Sequence, residues 1–203
     1  MLKPDQISLR RLSNFIDIVY ALIFFHLIVT YLPKIENMAW ADKPYGLLSL
    51  LIENNSEILR IIIGAGLALM YWNQNNSFFK HLNKTNGPHM ALSLIQVFLV
   101  CLFVYFAIAD PGLVTKSSPA MQAGCLAIAG FMGIYNWRYA FKKGLTRDDL
   151  TKEEAADITK SNLMEPLTAV VNTGLAFVSP LVWTLAWFLL PVLFSWILKK
   201  RKA

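Results

Sequence analysis

The chain has 203 residues, of which 56% are apolar and only 16% charged, and its mean hydropathy is +0.46. A soluble domain carries about 25% charged and roughly 45–50% apolar residues. The balance argues against disorder, a coiled coil, a disulfide-stapled secreted scaffold and a soluble enzyme. The net charge of +6 and pI of about 9.3 fit either a nucleic-acid partner or a membrane protein with basic cytoplasmic loops.

Crossing a bilayer as a helix takes about 20 mostly apolar residues. Six segments qualify, over about residues 13–33, 57–79, 89–109, 119–141, 163–178 and 181–198. Asp110-Pro111-Gly112 stops the third, and Ser179-Pro180 is the natural turn between the last two. Backbone groups in lipid must be bonded internally, so these runs are predicted as helices. Alternation at period two is absent, which disfavours a β-barrel. No small-residue cleavage site follows the first span, so a cleavable signal peptide is not expected. The expected fold is all-α, one domain of six transmembrane helices.

An even number of spans puts both termini on one side. Of the 19 lysines and arginines, 15 fall on that side; Lys34, Lys43 and Lys116 lie opposite, and Arg60 sits at the start of the second span. That asymmetry makes the termini cytoplasmic. It also accounts for the basic pI without a nucleic-acid partner.

Among the connections, Pro44 to Ile52 reads as a short half-helix at the extracytoplasmic surface. The polar linker 142–162 contains two capping-box patterns, Thr146 to Asp149 and Thr151 to Glu154, and predicts a short cytoplasmic helix. Its charges read as a solvated amphipathic face. The tail Lys199 to Lys202 suits anionic headgroups. Cys101 and Cys125 fall inside spans and read as small buried side chains, with nothing in their spacing to support a disulfide.

No Walker loop, HExxH, CxxC or GxSxG motif is present, and His26, His81 and His89 lack metal-ligand spacing. Gly64 with Ala68, Ala123 with Ala127 and Ala129 with Gly133 allow close helix approach, read as packing within the chain. Ionisable residues inside spans are functional candidates by default. Asp17 is either paired with Arg11 or another basic group at the cytoplasmic rim, or has a direct transport role. His26 is either a bonded packing residue or a pH-sensitive pore-lining one. Glu57 and Arg60 are spaced to pair on one helical face. On the first span, Phe15, Leu22, His26, Val29 and Pro33 share a stripe, with Asp17, Phe24, Ile28 and Tyr31 mostly away from it. If that helix lines a pore, Leu22, His26 and Val29 form a largely hydrophobic constriction. Phe25, at the stripe's edge, replaces His26 after a modest rotation.

The run Arg11-Leu12-Ser13-Asn14-Phe15-Ile16-Asp17 resembles the Arg-xxx-Phe-Ser-Asp signature in the first span of TMEM175-type potassium channels. The stretch Tyr71-Trp72-Asn73-Gln74-Asn75-Asn76-Ser77-Phe78-Phe79 is similar to that family's Trp-xx-His segment before an aromatic pair. The turn at Asn83 to Asn86, the Pro111 stop and the Glu165-Pro166 start of the fifth span also fit. Ile16 stands where the signature has serine, and Asn75 or Asn76 where it has histidine. The resemblance implies a homotetramer conducting potassium through a central pore lined by the first helix, without a carbonyl-loop filter. It implies a constriction at Leu22, His26 and Val29, with His26 in place of an apolar residue. It also implies a structural polar network of Arg11, Asp17, Trp72, Asn75 and Asn76. The permeant ion would be K+, with no cofactor and no metal site. Membrane lipids and further copies of the chain would be its partners, in a bacterial inner membrane.

Two other functions are carried as alternatives. A membrane enzyme would have to use Asn73 to Asn76 with His81 and His89. A secondary transporter would show internal repeats, and none is convincing between the two halves.

Overall fold

The computed structural model describes residues 4–31, 55–110 and 113–200; the half-helix expected over 44–52 lies outside them, as do Pro33 and Pro111. The described residues form seven α-helices: α1 (Pro4–Tyr31), α2 (Asn55–Phe79), α3 (Gly87–Ala109), α4 (Ser117–Lys142), α5 (Lys152–Ser161), α6 (Met164–Leu175) and α7 (Pro180–Lys200). The fold is all-α. The one ladder contact among them is an isolated antiparallel bridge between Leu82 and Thr146.

Local chemistry sets several of the helix ends. Asn86 caps α3, its side-chain oxygen accepting from the His89 N–H at 3.0 Å, with a proline in the first turn. At the other end the Asp110 carboxylate accepts from the backbone N–H groups of Val114 and Thr115 and from the Thr115 hydroxyl, which folds the chain back into α4. Thr151 opens α5 through a reciprocal capping box with Glu154. The second capping pattern, at Thr146, opens no helix. Thr146 is buried in the bridge to Leu82, while Asn83 donates to the Leu145 carbonyl and Arg147 to that of His81. Gly144, at φ +62°, makes the reversal out of α4.

Helices α1 and α3 are long and apolar enough to cross a membrane. Two others fall short for separate reasons. α2 carries Glu57, Arg60 and the amide run Asn73 to Asn76, and α6 has only 12 residues. Backbone hydrogen bonds continue the α6 coil to Val178. The coil from Met164 to Val178 is then about 22 Å long.

The main core joins Ile16, Tyr20 and Leu27 of α1, Leu67 and Tyr71 of α2, Val100 and Phe103 of α3, and Leu126 of α4, with Trp183 and Trp187 of α7. α4 is the hub, packing most extensively on α3 and then on α6. Small residues allow this. Gly130 lies against Pro166, where an added Cβ would come 2.8 Å from the proline Cβ. Gly133 faces two buried amides, and a Cβ there would sit 2.5 Å from Gln96 Nε2 and 2.9 Å from Gln74 Oε1. Cys101 and Cys125 are free thiols.

A second core closes one end of the bundle. Phe78 stacks on Trp137 with ring centroids 5.4 Å apart, and His81 meets the same indole edge-on. Leu82, Leu145 and Ala155 complete the cluster, and the Trp137 N–H donates to the Ala155 carbonyl at 3.2 Å, which ties α5 to α4.

Replacing Gly130 by alanine forces a Cβ onto the rigid Pro166 ring, 2.8 Å from its Cβ, and should cost about 1–3 kcal/mol. Gly124→Ala, in the same helix with nothing within 4 Å, should be neutral or stabilising. Thermal melts of the purified variants compare the two.

His81 gives a pH dependence. Burial, then the neighbouring Lys80 and Arg147 charges, hold its imidazole below the ordinary 6.5. The unfolded chain therefore takes up the proton first, so the contribution is complete above pH 6.5 and is lost as the pH falls below it. A melting temperature that declines from pH 7.5 to pH 5.5 in the native chain, and declines less in His81→Gln, is the expected outcome.

Candidate functional site

Helix α1 has two arcs. Leu12, Ile16, Tyr20, Ile23 and Leu27 recur at three- and four-residue steps and are buried against α2 and α3. The opposite arc carries Phe15, Ile18, Leu22, Phe25 and Val29, also alternating by three and four, and the fold covers none of them. Leu22 is 60% exposed, Phe25 65% and Val29 53%. His26 is exposed too, at the margin of this arc. There it borders an apolar groove between α1 and α3 with Leu22, Cys101, Val104 and Tyr105. Ile28 is also exposed, so the open arc is wider than the stripe expected from periodicity.

Two hydrogen bonds hold α1 to α2. The Trp72 indole N–H donates to Asp17 Oδ1 at 2.9 Å, and Asn75 Nδ2 donates to the Tyr20 hydroxyl at 3.0 Å. Each pair sits three residues beyond the other on both helices, so the bonds lie one turn apart on one seam. Asp17 thus meets an indole and not the arginine considered from sequence. Arg11 is exposed, and Asn76 is half-buried beside a surface depression with Arg10, Asn14 and Lys80.

Behind this seam lies a polar layer of which the sequence reading named Gln74 and His89, in the enzyme alternative, but not Ser93, Gln96 or Asn136. Gln96 Nε2 donates to Gln74 Oε1 at 3.1 Å, and Gln74 donates to the Asn162 carbonyl. Asn136 Nδ2 donates to the Ser93 hydroxyl at 2.8 Å, and Thr85 bonds His89 Nδ1. His89, Ser93 and Gln96 are buried at steps of four and three on α3. That spacing, polar residues on one face of an otherwise apolar run, is visible in the sequence and was the available signal. The amides and histidines of the enzyme alternative do not converge. Gln74, Asn75 and His89 are bonded inside the bundle, Asn73 is exposed, and His81 belongs to the end cluster with Arg147 and Trp137. Among the described residues no group of three or more His, Cys, Asp or Glu side chains could hold a metal ion.

No family model matches the chain, and no curated protein matches it in sequence. A solved structure does. The crystal structure of a homologue of the lysosomal potassium-selective channel TMEM175, from Chamaesiphon minutus, superposes with a TM-score of 0.70 over 98% of this chain and all of that one, at 19% identity. The chain has the fold of that TMEM175 homologue. Within this TMEM175-type fold, α1 is held through Asp17 and Tyr20, and one side of it stays uncovered.

Trp72→Phe removes the donor to Asp17 while keeping an aromatic ring. It should destabilise the chain by about 1 kcal/mol, the scale of interhelical hydrogen bonds in lipid, and lower the melting temperature by about 2–4 °C. Asn73→Ser, at the exposed neighbour, should change it little.

Proposed function

We propose that this chain is the subunit of a potassium-permeable ion channel: six membrane spans, both termini cytoplasmic, four copies around a pore lined by α1. The observation that carries the proposal is the uncovered apolar arc of α1, Phe15 through Val29, held outward by bonds on its opposite side. The fold shared with a potassium-selective channel homologue supports it. A membrane setting is supported by the many other large apolar side chains left exposed, among them Phe98 and Tyr105 on α3 and Leu189 and Val192 on α7. Exposure on that scale is not tolerated in water.

In this channel the spans are α1, α2, α3, α4, α6 and α7, and α5 is the cytoplasmic linker helix. α6 is the short one, about 22 Å of coil against a hydrocarbon core of about 30 Å. It packs against α4 and α7. α1 runs unbroken from Pro4 to Tyr31, so its carbonyls are committed to its own helix. A permeating ion therefore meets side chains instead of a carbonyl filter. Leu22 and Val29 form apolar rings, with Phe25 and His26 at the level between them. Such rings exclude water when narrow and conduct when the helices move apart. Asp17, Trp72 and Asn75, with Arg11 and Asn76 at the rim, set the rotation that presents the rings.

Purified protein in proteoliposomes should carry a potassium flux. Leu22→Ala should raise that flux several-fold by widening the apolar ring, while Leu12→Ala, on the buried arc, should instead lower stability. Detergent-solubilised particles should show four-fold symmetry. A well-folded protein with no flux at any pH or potential tested would overturn the proposal.

A further inference from the structure

A second uncovered face lies on α4, where it runs beside α5. The two helices bound a groove of about 840 Å³. Along α4 its wall changes character in order. Phe131, Ile134 and Tyr135 come first, and Phe131 and Tyr135 are exposed; Arg138, Lys142 and Lys143 follow, all exposed. Across the groove α5 contributes Lys152, then Ala155 and Ala156 on the same face.

The charges in this groove are of one sign. The acidic groups of α5 do not line it: Glu154 is bonded to Thr151, and Asp157 is paired with Lys160. The ion pairs among the described residues, Arg147–Asp149 and Lys160–Asp157, involve none of the four cations of the groove. An apolar and aromatic wall that passes along one helix into a rim of cations, with Tyr139 and Phe141 between them, matches the depth profile of a phospholipid from acyl chain to phosphate. Arginine suits the phosphate oxygens through its planar fork, and the lysines add point charges. A free phosphate would use the rim alone and leave Phe131 and Tyr135 without a role.

We propose that this groove binds one anionic phospholipid of the cytoplasmic leaflet. Arg138, Lys142, Lys143 and Lys152 hold the phosphate, and an acyl chain lies along Phe131 and Tyr135. The site rests on the membrane-spanning reading above.

The test uses the full chain in detergent with equal amounts of phosphatidylglycerol and phosphatidylcholine of matched acyl chains, read by native mass spectrometry. Phosphatidylglycerol should be retained preferentially. Neutralising the rim, R138Q/K142Q/K143Q/K152Q, should lower that preference by about tenfold, on the scale of cation contacts to anionic lipid. Neutralising the tail, K199Q/K200Q/R201Q/K202Q, removes the same charge and should leave the preference nearly intact. Ala156→Trp fills the groove without changing charge and should lower retention, which keeps the test decisive if the rim variant fails to fold. Equal losses in rim and tail variants would overturn the site in favour of diffuse charge attraction. Displacement by inorganic phosphate as effective as by lipid would overturn it in favour of a simple anion site. Disulfide-linked dimers of Tyr135→Cys, with lipid retention untouched by Ala156→Trp, would overturn it in favour of contact between copies. Protein that stays in membranes through an alkaline carbonate wash but shows no lipid preference overturns this site alone. Protein released by that wash overturns the membrane reading beneath it.

Discussion

An apolar helix in apolar surroundings has no strong reason to prefer one rotation. Leu, Ile, Val and Phe occupy nearly every side of α1, so burial alone discriminates weakly among its faces. The seam Asp17–Trp72 and Tyr20–Asn75 supplies the missing direction. Each bond is worth about 1 kcal/mol in lipid-like surroundings. Both are lost together if the helix turns by one residue, about 100°. That coupling fixes which side of α1 is buried and which is left open. The uncovered arc through Leu22, Phe25 and Val29 is the geometric complement of two polar contacts on the opposite side.

The same economy recurs at the centre of the bundle. α3 and α4 approach closely because α4 is built from alanine and glycine where they meet. Close approach then makes room for buried amides, since Gly133 leaves the space in which Gln96 and Gln74 bond. Small residues and buried polar groups are thus one device. The first removes volume, and the second gives the remaining contact a direction that apolar packing lacks. A fully buried amide without its partner would be costly, so the pair also discriminates against a shifted register.

The helical class and the segments that form helices were legible in the sequence, because long apolar runs admit few alternatives. The start of α5 was legible too, since Thr151 and Glu154 form a local reciprocal cap. The pattern at Thr146 was not used. A non-local bridge to Leu82 claimed that residue, and its Asp149 is one methylene shorter than the glutamate that closes the box at Thr151. Asp17 was marked as a candidate, and Trp72, 55 positions away, was named beside it only through the family resemblance. Charge matching along the chain points to Arg11, whereas the bundle's geometry selects Trp72. Gln74 was marked only as part of the enzyme alternative, and Gln96 not at all, because the role of an amide shows only when its partner is known. The face that α1 leaves open was half legible. Periodicity gave Leu22 and Val29, but its centre depends on where α2 grips the helix, which moves Phe25 inward and His26 to the margin.

The open faces of α1 and α4 differ in a way that bears on what covers each. The arc of α1 from Phe15 to Val29 is continued one turn earlier by the single exposed cation Arg11, and its hydrogen-bond anchors Asp17 and Tyr20 point away from it. The exposed stripe of α4 ends in Arg138, Lys142 and Lys143. A face meant for lipid meets an anionic headgroup layer at its cytoplasmic end and is favoured by cations there. A face meant for another copy of itself around a symmetry axis would bring four such cations together, where like charges repel. Three cations at the end of the α4 stripe therefore favour lipid there more strongly than the single Arg11 does at the α1 arc. Under the proposed channel reading, this difference in charge favours α1 toward the assembly axis and α4 toward lipid.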